Sequence, residues 1–355
     1  MYSIESTNFL SIHPISDKRL HSFKNLAPHR GRNSQALINK GVIRELMIKN
    51  NITILILGAC LVLLKPAIPE AVENEKYSKI IWGYLETLCG FGPRYSGSKG
   101  YLEALELIRR VGNKYADRVV EQPFQVQVSE GKNLRMTNLE LQFAGTQGGA
   151  PIVIGGHFDT RPFADQETHP EKRTKPIIGA NDGGSTTAVL LALAHYLFQH
   201  PAPRPVHLVF FDGEDYDARG VGLNLLGSTH YAQSLLQMDQ QSWPYWVLII
   251  DMIGDKDLQI FKETYSLKGS ARFLDKIYSI AEKQNNSSFK PKLKYTIFDD
   301  HYPFYKIGIP ATLLIDFDYP YWHTQEDTLD KCSPESMFSV FSVVTEMIHS
   351  LQAKN

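Results

Sequence analysis

The chain has 355 residues, of which 43% are hydrophobic and 21% charged, and its formal net charge is −1. That length can bury a large core, and the balance is that of a globular protein, without the global basic field that nucleic-acid binding needs. Three cysteines, Cys60, Cys89 and Cys332, none in a paired spacing such as C-x-x-C, exclude a disulfide framework and leave a single Cys89–Cys332 bridge open but not deducible.

Residues 1–46 are polar and basic, carry no apolar period and read as a disordered N-terminus. Within 47–70 an apolar run from Ile52 to Leu64 follows Arg44 and Lys49 and ends at Lys65 and Pro66. It is shorter than the roughly 20 residues that cross a bilayer and suits the apolar part of an export signal or a membrane anchor. Met47 then becomes a candidate start, and "LGAC" at 57–60 a candidate lipidation site on Cys60, although the apolar run continues past it. A buried core helix is the other reading. The signal reading makes the protein extracytoplasmic (periplasmic, secreted or membrane-anchored), with membrane association through 52–64 if the run is retained.

From residue 75 to 355 the pattern is that of one α/β domain. "YSKIIWGYLETL" and "YLEALELIRRVGNKYA" have helical spacing, and "RVVEQPFQVQV" and "NLELQFAG" alternate as strands. "APIVIGGHFD", "PVHLVFFDGED", "YWVLIIDMIGD" and "GIPATLLIDFD" are apolar strands running into polar residues. "STTAVLLALAHYLFQ" reads as a helix capped by Ser185, and the C-terminal helix has Ser333 as its cap and Pro334 in its first turn. Buried strands alternating with helices imply a three-layer α/β/α fold around a mixed, mostly parallel sheet.

Ligands of such sheets bind beyond the carboxyl ends of the strands. Here those ends carry His157 and Asp159, then Asp212, Glu214 and Asp215, then Asp251. Asp182 precedes a helix in "IIGANDGGS", and "YPYWHTQED" offers His323. Together they make a zinc ligand set of His and Asp/Glu. Zinc also explains the adjacent acids: one carboxylate can bind the ion while its neighbour carries protons.

At "GGHFDTRPFADQ", "GANDGGS", "VFFDGED", "IIDMIGD", "FDDHYPF" and "YWHTQEDT" the chain resembles, over about 80–350, the family that holds zinc-dependent aminopeptidases and animal-type glutaminyl cyclases. The resemblance implies a zinc aminopeptidase-like (phosphorylase/hydrolase-like) fold. For a two-zinc aminopeptidase it implies that Asp182 bridges the metals, that His157 and Asp251 complete one site and Asp215 and His323 the other, and that Glu214 is the general base. For a cyclase it implies one zinc on Asp182, Asp215 and His323, with Asp251 in a hydrogen-bond network beside it.

Trp322 and Asp300 favour the cyclase, Trp322 as a wall of a pocket for a glutamine side chain and Asp300 as an acid near the reacting amine. "HFDTRPFADQ" and "IDFDYPYWHT" look like bacterial members. The expected function is therefore a glutaminyl-peptide cyclotransferase that converts N-terminal Gln to pyroglutamate with release of ammonia. Its partners would be peptide or protein N-termini, its form a monomer, and its catalytic residues Glu214, Asp251 and Asp300; the alternative is a zinc aminopeptidase with two ions. Two departures stand out. Asp215 replaces the Glu usual in animal cyclases, and no Trp follows the paired acids, leaving Tyr216, Trp243 or Trp246 as substitutes.

Overall fold

The computed structural model describes residues 70–129, 132–216 and 223–353, so the readings made on 1–46 and on 47–70 lie outside them, except for Glu70. Among the described residues no helix is long and apolar enough to cross a membrane. Helices α1 (Glu70–Gly90) and α2 (Lys99–Tyr115) lead into a hairpin of β1 (Arg118–Ser129) and β2 (Lys132–Phe143). Then come β3 (Ile152–His157), α3 (Thr186–Gln199), β4 (Val206–Phe211), α4 (Leu226–Leu235) and β5 (Trp246–Asp251). The chain continues through β6 (Ile260–Glu263), α5 (Thr264–Lys283), β7 (Phe289–Tyr295), α6 (Tyr302–Lys306), β8 (Ala311–Ile315) and α7 (Pro334–Ser350).

The main sheet has the order β1-β2-β4-β3-β5-β8; β6 and β7 pair separately. β4, β3, β5 and β8 run parallel, and β2 joins β4 antiparallel. The four parallel strands are almost wholly buried, and alternate residues serve opposite faces. Ile152, Ile154, Leu208, Phe210, Leu248 and Ile250 pack under α1, α2, α3, α5 and α7. Val153, Val209, Phe211, Val247, Ile249 and Leu313 meet Tyr231 and Leu235 of α4 and Phe304 of α6 on the other face. Register sets the site: Gly155 pairs with Ile249, so His157 and Asp251, each two residues further on, emerge side by side.

Ser333 does cap α7, accepting from the Ser336 N–H at 3.2 Å. Ser185 does not cap α3: its own backbone is already helical, and its hydroxyl donates to the Asn181 carbonyl at 2.6 Å while accepting from the Ile253 N–H. Cys89 and Cys332 are free thiols.

Candidate active site

Asp182, Asp215 and His323 come together at the carboxyl end of the parallel strands, with one ligand atom from each within 4.8 Å of the others. His157, Asp182 and Asp251 form an adjoining group of the same size, and Glu214 reaches the cluster beside His157 and Asp215. All the members except Glu214 are buried, and Glu214 is partly so.

Backbone geometry aims these side chains. Asp182 lies in the turn Ala180–Ser185, where Asp327 accepts from the N–H groups of Asn181 (2.8 Å) and Asp182 (3.1 Å). Gly183 adopts φ +74°; a Cβ there would lie 2.4 Å from the Asp159 carbonyl and 3.1 Å from the His157 ring, so this turn requires glycine. Asp159 accepts from the N–H groups of both Glu214 and Asp215, each at 3.2 Å, and so fixes the paired acids. Asp212 turns away: its carboxylate takes the Ser96 and Tyr101 hydroxyls and the Thr137 N–H, which makes it an anchor and removes it from the strand-end ligand set. The wholly buried Arg94 donates to the carbonyls of Phe158, Ile178 and Gly179, tying the loops beneath the acids.

Of the three metal-compatible groups among the described residues, the two that share Asp182 differ in how their other polar atoms are satisfied. His157 Nε2 lies 3.1 Å from Asp251 Oδ1 in a hydrogen bond, and its Nδ1 meets the Asp159 carbonyl at 3.2 Å. By contrast, Asp182 Oδ2 and Asp215 Oδ2 are buried without a hydrogen-bond partner. Buried carboxylate oxygens are rarely left so. Two orphaned oxygens beside the Nε2 of His323, 3.0 Å from Asp215 Oδ1, form a donor set that fits a tetrahedral divalent ion.

The titrations follow from crowding. Burial, and then the charge of Asp215, push the Asp182 carboxyl up to about 7. Burial and Asp215 hold Glu214 well above the usual carboxylate range. Burial works against ionisation of Asp215 too, but His323 and Arg161 keep its carboxyl well below that range. His323 would be lowered by burial, yet Asp215 and Asp165 carry it to about 9. Burial lifts Asp300 to about 7, the charges of Asp159 and Asp251 adding to it while His157 opposes. Burial and the charge of Asp251 raise Asp299 well above its usual value.

A stability prediction follows for the metal-free chain. Asp182, at about 7 against 3.8, and His323, at about 9 against 6.5, both bind protons more tightly folded than unfolded. Stability must therefore fall as pH rises, through Asp182 between about 4 and 7 and through His323 between about 6.5 and 9. Calorimetry of chelator-treated protein should show a lower Tm at about pH 8.5 than at about pH 5.5; a higher one would contradict these assignments.

Of the other residues expected from sequence, Trp322 stacks on His323, with ring centroids 4.0 Å apart, and packs on Phe317. Trp246 is wholly buried against Phe273, Trp243 donates to the Leu235 carbonyl, and Tyr216 packs on the cluster of Phe124, Met136 and Leu223. Trp246 is too deeply buried to substitute for the missing Trp. Sequence reasoning passed over Asp299, although it is the other acid of "FDDHYPF", and Asp327, Arg94, Arg161 and Asp165, which act through contacts between distant loops.

The sequence profile of peptidase family M28 matches residues 138–348. Aminopeptidase YwaD of Bacillus subtilis (strain 168) is 26% identical over 213 residues, 57% of this chain and 41% of that protein. A glutaminyl-peptide cyclotransferase of Gloydius blomhoffii is 26% identical over 227 residues, 54% of this chain and 60% of that protein. The chain thus spans about half the length of these curated relatives. The crystal structure of Fimbriiglobus ruber glutaminyl cyclase matches with a TM-score of 0.73 at 30% identity, covering 78% of this chain and 95% of that chain.

Proposed function

The chain belongs to peptidase family M28, and within it we propose a zinc-dependent glutaminyl-peptide cyclotransferase that closes an N-terminal Gln to pyroglutamate and releases ammonia. The observation that carries this reading is the pair of orphaned oxygens on Asp182 and Asp215 beside His323, with Glu214 next to them. The orphan on Asp215 lies in the group with Asp182 and His323, whereas His157 and Asp251 of the other group are bonded to each other, and this difference favours a single ion. The likeness to the Fimbriiglobus ruber glutaminyl cyclase supports the same choice.

Asp182, Asp215 and His323 would hold the zinc. When bound, zinc supplies the electrophile that polarises the side-chain amide of the substrate. The α-amine is tethered to the carbon it attacks, so no activated water is needed as nucleophile. Its nitrogen bonds to the amide carbon, and the bond from that carbon to the departing nitrogen breaks. Glu214 takes the proton from the amine and returns it to the leaving group as ammonia. A carboxyl held above its ordinary range by burial and Asp215 suits a proton carrier that must both accept and donate. Asp299 and Asp300 place like charge beside it, and Asp251 acts in turn on both of them. The Trp322 ring on His323 offers a flat wall for the glutamine side chain.

A second reading, a two-zinc aminopeptidase, draws on the compactness of His157, Asp182 and Asp251. Ammonia release from a Gln-peptide, leucine release from a Leu-peptide and zinc per chain separate the two. The cyclase reading expects ammonia, no leucine and about one zinc; leucine release with two zincs and no ammonia would reject it. The apolar run 52–64 supports an extracytoplasmic enzyme acting on exported N-termini. A fusion to a reporter active only outside the cytoplasm should be active; a silent but expressed fusion would reject that location.

A further inference from the structure

The loop after β3 reaches the metal cluster with a cation. Arg161 Nη1 donates to Asp215 Oδ1 at 3.1 Å. Its Nε and Nη2 donate to Asp165 Oδ1 and Oδ2 at 2.8 and 3.2 Å, a bidentate fork. Asp165 Oδ1 in turn lies 3.1 Å from His323 Nδ1. A single guanidinium therefore bonds one of the three ligands directly and holds a carboxylate in ion-pair contact, not a hydrogen bond, with a second.

The same loop is stitched to the turn that carries His323. The Gln166 N–H donates to the His323 carbonyl at 3.3 Å. The Gln325 N–H donates to Glu167 Oε2 at 3.2 Å, and its side-chain amide donates to the Pro176 carbonyl at 2.8 Å. These bonds hold a turn in which His323 has φ +56°, a region that residues other than glycine seldom occupy.

We propose that Arg161 and Asp165 form a positioning brace that builds the Asp182–Asp215–His323 metal site in advance of the ion. Arg161 engages Asp215 Oδ1, the oxygen 3.0 Å from His323 Nε2, and leaves Oδ2 without a hydrogen-bond partner. Asp165 faces the Nδ1 side of His323 and leaves Nε2 toward Asp182 and Asp215. Such outer partners fix the orientation of ligands. The guanidinium and the Asp165 carboxylate together add no net charge, so replacing both tests geometry. His157 is held separately, by Asp159 and Asp251, so the brace serves one metal position and not the other. This inference rests on the metal reading of the cluster but not on the reaction assigned to it.

Charge-neutral replacements test it. Arg161→Lys keeps the charge and loses the fork; the double variant Arg161→Gln with Asp165→Asn removes both charges together. Zinc Kd by competition with a chromophoric chelator, and Tm of the metal-free protein, are read for each. The brace predicts a Kd raised about 10- to 100-fold in both variants, with the metal-free Tm close to that of the parent. An unchanged Kd in the two variants overturns the brace. So does a Kd that weakens only where the metal-free Tm falls with it, since that marks a merely structural role. A parent protein that takes up no zinc overturns the brace and the metal reading together, whereas a parent that binds zinc but releases no ammonia overturns only the cyclase reading.

Discussion

Glu214→Gln should lower kcat for ammonia release from a Gln-peptide by about 10²- to 10⁴-fold, the usual share of a general acid–base group, and leave one zinc bound. The amide keeps the size of the side chain but cannot take the amine proton. Glu214 is held by its N–H bond to Asp159, which the change does not touch. Its carboxyl is raised by burial and by Asp215, so a neutral amide should also leave the metal-free fold as stable or more so. Retained turnover would remove Glu214 from the proton path. Loss of zinc would place Glu214 among the ligands, an arrangement open to it because it also groups with His157 and Asp215.

Asp182→Asn should raise the zinc Kd about 100-fold, and lower turnover wherever zinc is not saturating. Zinc sites of this kind bind with about 10–16 kcal/mol, so one ligand of about four is worth about 3 kcal/mol, or about two decades in Kd. Asp182 belongs to two of the three metal-compatible groups, so its loss weakens both. Stability should move the other way. The ionised Asp182 is opposed by burial and by Asp215, and an amide can donate to the Asp215 oxygen that lacks a partner. Calorimetry of the metal-free variant should give a Tm at least equal to the parent's, the pattern of a site that trades stability for function. A variant that keeps zinc at parental affinity, or that is much less stable without it, would contradict both parts.

The strands that carry the site were legible because their chemistry is concentrated: an apolar run that stops at an acid or a histidine marks a buried parallel strand and its functional end. Three such runs became β3, β4 and β5, and His157, Asp215 and Asp251 followed. Within "FDGED", the resemblance gave Glu214 and Asp215, but that Asp212 turns away was not legible from the residues. Asp212 binds two hydroxyls and an N–H from elements more than seventy residues away, and only folding brings them near. The same limit hid Asp327, 146 residues from the Asn181 N–H that it accepts, and Arg161, 54 residues from Asp215. Asp299 and Asp300 are adjacent in sequence, and no local pattern says which meets Asp251. In the fold, β7 escaped because "FKPKLKY" pairs Pro291 with alternate lysines and is mostly exposed. Helix α5 was readable from Phe273, Leu274, Ile277, Ile280 and Ala281, which keep a helical period, and was passed over.

Diffraction from zinc-loaded crystals, recorded on both sides of the zinc absorption edge, reads the metal position itself. A single anomalous peak within coordination distance of Asp182, Asp215 and His323, with the Glu214 carboxylate outside the coordination shell, is the result expected. A map with no peak among those three side chains, or with its strongest peak elsewhere, would contradict the account.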